Sequence, residues 1–231
     1  MTKQFHREIE KLKKLILSLG TMVEEEVRMA IKAIELKDAE IAKKIIIDDY
    51  NIDEMEVEIE EECLKILALH QPVAVDLRFL IAVIKINNDL ERIGDEAVNI
   101  AERVESLAKR KTVGFTYDYS EMAEKAEEML KKSLDALVNL DIDLAFKVLI
   151  KDDEVDDIQE KVYQLTKQAI REHTDEVKFL INQYLISRHL ERIADHATNI
   201  AEEVIYLIEG EIIRHAKHER ESIIDRPDSI E

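Results

Sequence analysis

The segment Leu90–Val104, LERIGDEAVNIAERV, returns 100 positions later as LERIADHATNIAEEV over Leu190–Val204, with 11 of the 15 residues identical. Apolar matches alone would reflect a repeated core. Here polar residues return as well: Glu91 and Asp95 as Glu191 and Asp195, Arg92 as Arg192, Asn99 as Asn199, and Glu102 as Glu202. A helix needs none of these side chains merely to fold. Their recurrence points to two copies of one helical unit, each carrying the same carboxylate device.

Around the first copy, Phe79, Val83, Ile86, Leu90, Ile93, Ala97, Ile100, Val104 and Leu107 recur at steps of four and three, a heptad seam suited to helices packed at a shallow angle. The rest of the chain supports an all-α fold. Only four glycines and two prolines occur in 231 residues, well below the usual shares of about 7% and 5%, so turn and strand chemistry is scarce. The length is ample for a buried core.

Apolar spacing predicts six long helices. The first spans Lys3 to Leu36, and the second runs from an Asp38 N-cap to His70, where Pro72 enforces a stop. A third starts near Val75, and Lys111–Tyr117 breaks the period as a linker. The fourth covers Ser120 to Leu140, the fifth runs from a cap at Asp141 or Asp143 to His173, and the sixth from Asp175 to Glu209. The polar tail beyond Gly210 is expected to fray. The expected organisation is therefore two tandem, pseudo-twofold-related three-helix bundles: residues 1–111, then 118–231 with the tail. An apolar patch left between them could serve either the intrachain contact or a homodimer.

Charge and cysteine usage exclude several classes. The 52 acids outnumber the 33 lysines and arginines, giving a net charge of −19. That disfavours nucleic acid, whose phosphates require a basic face, and an anionic membrane surface. A single cysteine, Cys63, permits no intrachain disulfide and no cysteine metal cage; among Leu64, Ile66 and Leu67 it reads as a small core residue. The longest apolar run, Phe79 to Ile84, is far short of the roughly 20 residues a spanning helix needs, and no signal peptide is evident. A cytoplasmic location is expected.

Residues i and i+4 of a helix lie about 40° apart on one face, so Glu91 with Asp95, and Glu191 with Asp195, form side-by-side carboxylates. Such pairs are weak signals alone, because chance puts roughly a dozen of them in a chain this acidic. The hairpin geometry is sharper. Asp49 and Asp95 lie 23 residues either side of Pro72, and Asp53 and Glu91 lie 19 either side. In the second half, Asp152 with Asp195, and Asp156 with Glu191, are centred between His173 and Thr174, where the helical period breaks. Each half thus aligns two acidic pairs at one height.

Carboxylates so gathered repel unless a proton or a cation intervenes. An oxygen-only donor set suits a hard or borderline cation such as iron, manganese, magnesium or calcium, and bridging carboxylates can hold more than one. With Ile93 at zero and 100° per residue, Glu91 falls at about 160° and Asp95 at about −160°, away from the seam, which makes the expected site a surface groove. Asn99, Asn199, Glu102, Glu202 and His196 lie near enough to be additional ligands. Arg92 and Arg192, on the other flank, are expected to pair with acids of the first helix of each bundle.

The D-x-x-x-D pairs Asp49/Asp53 and Asp152/Asp156, with the E-x-x-x-D pairs Glu91/Asp95 and Glu191/Asp195 and the following N-I-A-E, resemble the signature of the PhoU family. The likeness covers nearly the whole chain. It implies surface multinuclear clusters of iron, with zinc, manganese or magnesium as other candidates, bound by these eight carboxylates. It also implies a non-enzymatic cytoplasmic regulator of phosphate uptake and phosphate-starvation signalling, linking the ATPase subunit of a phosphate ABC transporter to a sensor histidine kinase. Asn88 and Asp89 of the first copy are replaced by Arg188 and His189, so the two sites are not expected to be identical.

Three other functions compete. A carboxylate-bridged di-iron oxidase or oxygen-binding bundle would usually carry Glu-x-x-His pairs facing the bundle interior, and none of the seven histidines has a glutamate three residues before it. Metal-assisted phosphate-ester hydrolysis needs a donor for the phosphoryl oxygens, which an all-acid site does not supply. An acidic groove for a basic partner would need no metal.

Overall fold

A computed structural model describes residues 3–109 and 116–211. Most of the linker expected at Lys111–Tyr117, and the tail after Glu211, lie outside the described residues. Among the described residues seven α-helices follow one another: α1 Lys3–Leu36, α2 Ala39–Asp48, α3 Tyr50–His70, α4 Val75–Ala108, α5 Ser120–Asn139, α6 Ile142–Glu172 and α7 Val177–Glu209, with a 3-10 turn at Thr174–Glu176 before α7. No strand occurs among the described residues, and none of the helices is long and apolar enough to cross a membrane.

The fold is two tandem three-helix bundles, α1 with α2–α3 and α4, then α5 with α6 and α7. The expected second helix is divided. At Asp49 the backbone remains right-handed (φ −53, ψ −33), but its carbonyl accepts from both Ile52 N (2.8 Å) and Asp53 N (3.2 Å), so the ladder tightens for one turn and separates α2 from α3.

The two halves reuse the same joints. α1 and α5 each end on a left-handed residue, Lys37 (φ 51) and Leu140 (φ 49), followed by an aspartate that caps the next helix. Asp38 accepts from Glu40 N at 2.8 Å and Ile41 N at 3.2 Å, and Asp141 accepts from Leu144 N at 3.0 Å. At the α3–α4 hairpin Gln71 turns left-handed (φ 46) and Pro72 prevents the helix from continuing.

The halves are not separate bodies. α4 packs along α7 and α1 against α5, and one apolar cluster runs through both, with Leu12, Leu19, Ile86, Leu90, Ile93, Met129 and Leu190 fully buried. Cys63 lies in this core, and burial pushes its thiol up to about 12. At Gly20 α1 comes close to α5: a Cβ there would stand 2.8 Å from Leu134 Cδ2. The apolar patch between bundles is thus used within the chain.

Across α4 and α7 the polar contacts are reciprocal. Asp89 Oδ1 lies 2.9 Å from His196 Nδ1, and Glu96 Oε2 lies 2.6 Å from His189 Nδ1. Since 189 and 196 are the repeat counterparts of 89 and 96, this exchange is what a pseudo-twofold axis between the halves requires.

Because one core serves both halves, Ile93→Ala should lower the stability of the whole chain by about 2–5 kcal/mol through the cavity it leaves. In urea, helix loss in the two halves should remain a single transition shifted to lower denaturant; a second transition belonging to one half would contradict the shared core.

Candidate metal centre

In the first half Asp49 comes from the α2–α3 junction, Asp53 from the first turn of α3, and Glu91 and Asp95 from successive turns of α4. Asp53 and Asp95 are exposed, Asp49 and Glu91 half-buried, so the acids line a groove. They act on one another. Burial and then the charges of Asp53 and Asp95 push Asp49 up to about 6. Burial followed by Asp53 raises Asp95, and burial followed by Asp95, Glu56 and Asp53 raises Glu91, with Arg92 opposing in both.

A fifth carboxyl, from α1, closes the inner side of this groove. Glu26 is only 4% exposed, and neither Oε1 nor Oε2 has a hydrogen-bond partner among the described residues. Burial, then Asp49, Asp48, Asp53 and Asp95, push it up to about 8. It reaches the groove through the gap at Gly94, where an added Cβ would lie 3.4 Å from Glu26 Oε2, 3.4 Å from Asp49 Oδ1 and 3.3 Å from Ile52 Cδ1. The sequence carried a signal for Glu26 in its position on the apolar stripe of α1, within about 60° of Leu19, Val23 and Ala30 at 100° per residue.

In the second half, Asp152 is buried and Asp156 half-buried on α6, and on α7 Glu191 is half-buried and Asp195 exposed. Burial and then Asp156 raise Asp195. Glu191 is raised by burial and by Asp195 and Asp156, against the pull of Arg188, which is in ion-pair contact with it.

The structure thus brings together the four expected acids of the first half, and Asp156, Glu191 and Asp195 of the second, as charges that act on one another. Among the described residues, however, no three His, Cys, Asp or Glu side chains form a group that could hold a metal ion as they stand. The additional candidates divide. His196 and Asn199 (Nδ2 to Asp89 Oδ1, 3.0 Å) turn to Asp89 of the other half. Exposed Glu102 pairs with Arg103, and half-buried Asn99 stays on α4. Glu202 lines a polar cleft of about 580 Å³ between the halves, beside Glu56, Asn87 and Asp89. The arginine expectation fails: Arg92 Nε donates to Asn88 Oδ1 (3.1 Å) and Arg192 pairs with Glu96 (2.8 Å), because both lie on the α4–α7 side rather than toward α1 or α5.

Comparison with known proteins gives a consistent result. The family model described as the PhoU domain matches twice, over residues 16–104 and 119–204. The phosphate-specific transport system accessory protein PhoU homolog of Clostridium acetobutylicum is 36% identical over 209 residues, which is 90% of this chain and 95% of that protein. The crystal structure of PhoU from Pseudomonas aeruginosa superposes with a TM-score of 0.87 at 36% identity, covering 90% of this chain and 100% of that one. That of the phosphate transport system regulatory protein PhoU from Streptococcus pneumoniae superposes with a TM-score of 0.78 at 32% identity, covering 90% and 98%.

Glu26 gives the chelator-treated protein an unusual pH dependence. Its folded value of about 8 lies above the ordinary 4.5, so between these limits the native state holds a proton that the unfolded chain has released. That stabilising contribution is complete below about pH 4.5 and lost as pH rises to 8. Asp49 adds the same sign up to about pH 6. Glu26→Met should therefore gain on the wild type by roughly 2–4 kcal/mol more at pH 8 than at pH 5, as read from urea unfolding at the two pH values. An equal gap at both would show that Glu26 titrates normally.

Proposed function

The chain belongs to the PhoU family, and from that membership we propose that it is a non-catalytic accessory regulator of phosphate-specific transport whose carboxylate grooves hold metal. Its relatives are named as accessory proteins of the phosphate-specific transport system across nearly their full length, which supports the regulatory part of the reading. On this reading the chain acts at the cytoplasmic face of the membrane. There it restrains uptake and starvation signalling when phosphate is plentiful, through the transporter's ATPase subunit and a sensor histidine kinase.

One observation supports the metal: Glu26, buried with both carboxyl oxygens unpartnered, turned toward Asp49 and the groove. A buried carboxyl without a donor is costly, and either a proton or a cation removes that cost. The donor set fits a hard or borderline cation, acids at i and i+4 can bridge more than one ion, and the resemblance to the family implies iron among these cations. Asp49, Asp53, Glu91 and Asp95, and in the second half Asp152, Asp156, Glu191 and Asp195, would hold it. The metal would supply fixed positive charge that draws α2–α3 toward α4, and α6 toward α7.

Two measurements test the two parts separately. Deleting the gene should raise phosphate uptake in phosphate-replete cells, and reintroducing the chain should restore restraint; unchanged uptake would refute the regulatory role. Elemental analysis of protein purified without added metal should find at least one iron or other transition metal per chain, reduced by at least half in Asp95→Ala. Metal at trace level in the wild type would refute the metal reading alone.

A further inference from the structure

We propose that the two carboxylate grooves are unequal cation sites: the first, completed from within by Glu26, is the tight one, while the second is compensated by its own Arg188 and binds at least tenfold more weakly. This inference rests on the metal reading above and adds to it where the metal sits.

Three paired positions separate the halves, and all three act in the same direction. Counting back eleven residues from the left-handed residues Lys37 and Leu140 aligns Glu26 with Met129. Met129 is fully buried, and its thioether is a poor ligand for a hard cation. In the first half, the same place offers two carboxyl oxygens with no donor. Gly94 aligns with Ala194 in the repeated segment. The missing Cβ at Gly94 leaves room between Asp49 Oδ1 and Glu26 Oε2, and the buried Ala194 puts a methyl group at the matching position. Asn88 aligns with Arg188. Asn88 is uncharged and receives Nε of Arg92, which acts on Glu91 and Asp95 from the flank, while Arg188 makes an ion pair with Glu191 itself. A cation entering the second groove meets a guanidinium that must withdraw or repel it.

The first half therefore presents five carboxyls that act on one another, and in the second Asp156, Glu191 and Asp195 do so, with Glu191 already paired to Arg188. Inheritance of both grooves from one duplicated unit explains their common geometry. The substitutions at 129, 194 and 188 explain why one of them needs no cation from outside.

Manganese(II) is a suitable probe because it is a hard, oxygen-preferring cation whose unbound form is counted directly by electron paramagnetic resonance. Chelator-treated full-length protein titrated with manganese(II) should show a tight phase and a second phase at least tenfold weaker. Glu26→Gln should weaken the tight phase at least tenfold and leave the second unchanged. Arg188→Asn should strengthen the second phase at least tenfold and leave the tight one unchanged. Circular dichroism confirms that each variant is folded, and Glu26→Met replaces Glu26→Gln if the amide is not tolerated. A single phase of equal sites in the wild type overturns the inference while leaving the metal reading intact, as does indifference of the second phase to Arg188→Asn. No binding by the wild type overturns both.

Discussion

Glu96 is the contact on which the relation between the halves depends. It is 2% exposed on α4, and two groups of α7 meet it: His189 Nδ1 at 2.6 Å and Arg192 Nη1 at 2.8 Å. Burial would raise its carboxyl, but His189, Arg192 and His196 together hold it below the usual range. A buried carboxylate satisfied only from the opposite half fixes the register of α4 on α7, because a slip by one turn would leave it uncompensated in the core. Apolar packing along the seam tolerates small shifts; this charge does not. Asp89, with His196 and Asn199, repeats the device on the other side of the axis.

With α4 and α7 so locked, the positions of the acids follow from helical geometry. Residues 93, 97, 100 and 104 face the core, residues 89 and 96 face the other half, and residues 91 and 95 are left for the outer groove. One segment therefore carries core, interface and site on three faces. That division explains why both polar and apolar residues recur across the repeat. A substitution on any of the faces would disturb a different partner.

Much of this was legible in the sequence. The seam from Phe79, the Asp38 cap, the Pro72 stop and the fold of paired three-helix bundles all follow from spacing and local chemistry, whereas the choice of Asp141 over Asp143 as a cap came from the structure. The opposition of Asp49 and Asp53 to Asp95 and Glu91 followed from counting outward from the hairpin, since antiparallel helices of equal rise keep facing residues equidistant from their turn. Side-chain partners that depend on how whole halves dock were not legible. His196 and Asn199 lie beside the second groove on a helical wheel yet bond to Asp89, and Arg192 turns to Glu96, because no rule of spacing within one helix locates the other half. The break at Asp49 was hidden for another reason: the residue keeps right-handed angles, and only a shortened hydrogen bond separates α2 from α3.

Glu26 is the residue whose role the pattern obscured most. Searching for repeated acids finds only what both copies kept, and the counterpart of Glu26 is Met129. Repetition is thus a filter with a known bias: it recovers the shared scaffold of a duplicated site and discards whatever distinguishes the copies. The complementary filter is local conflict, an acid on an apolar stripe, which needs no second copy to be noticed. A core position between Leu19, Val23 and Ala30 would be filled at lower cost by leucine or methionine, as the second half does. A carboxyl kept there against its desolvation, with acids gathered on its open side, is a local conflict that a proton relieves, since burial and the charges of Asp49, Asp48, Asp53 and Asp95 push Glu26 up to about 8.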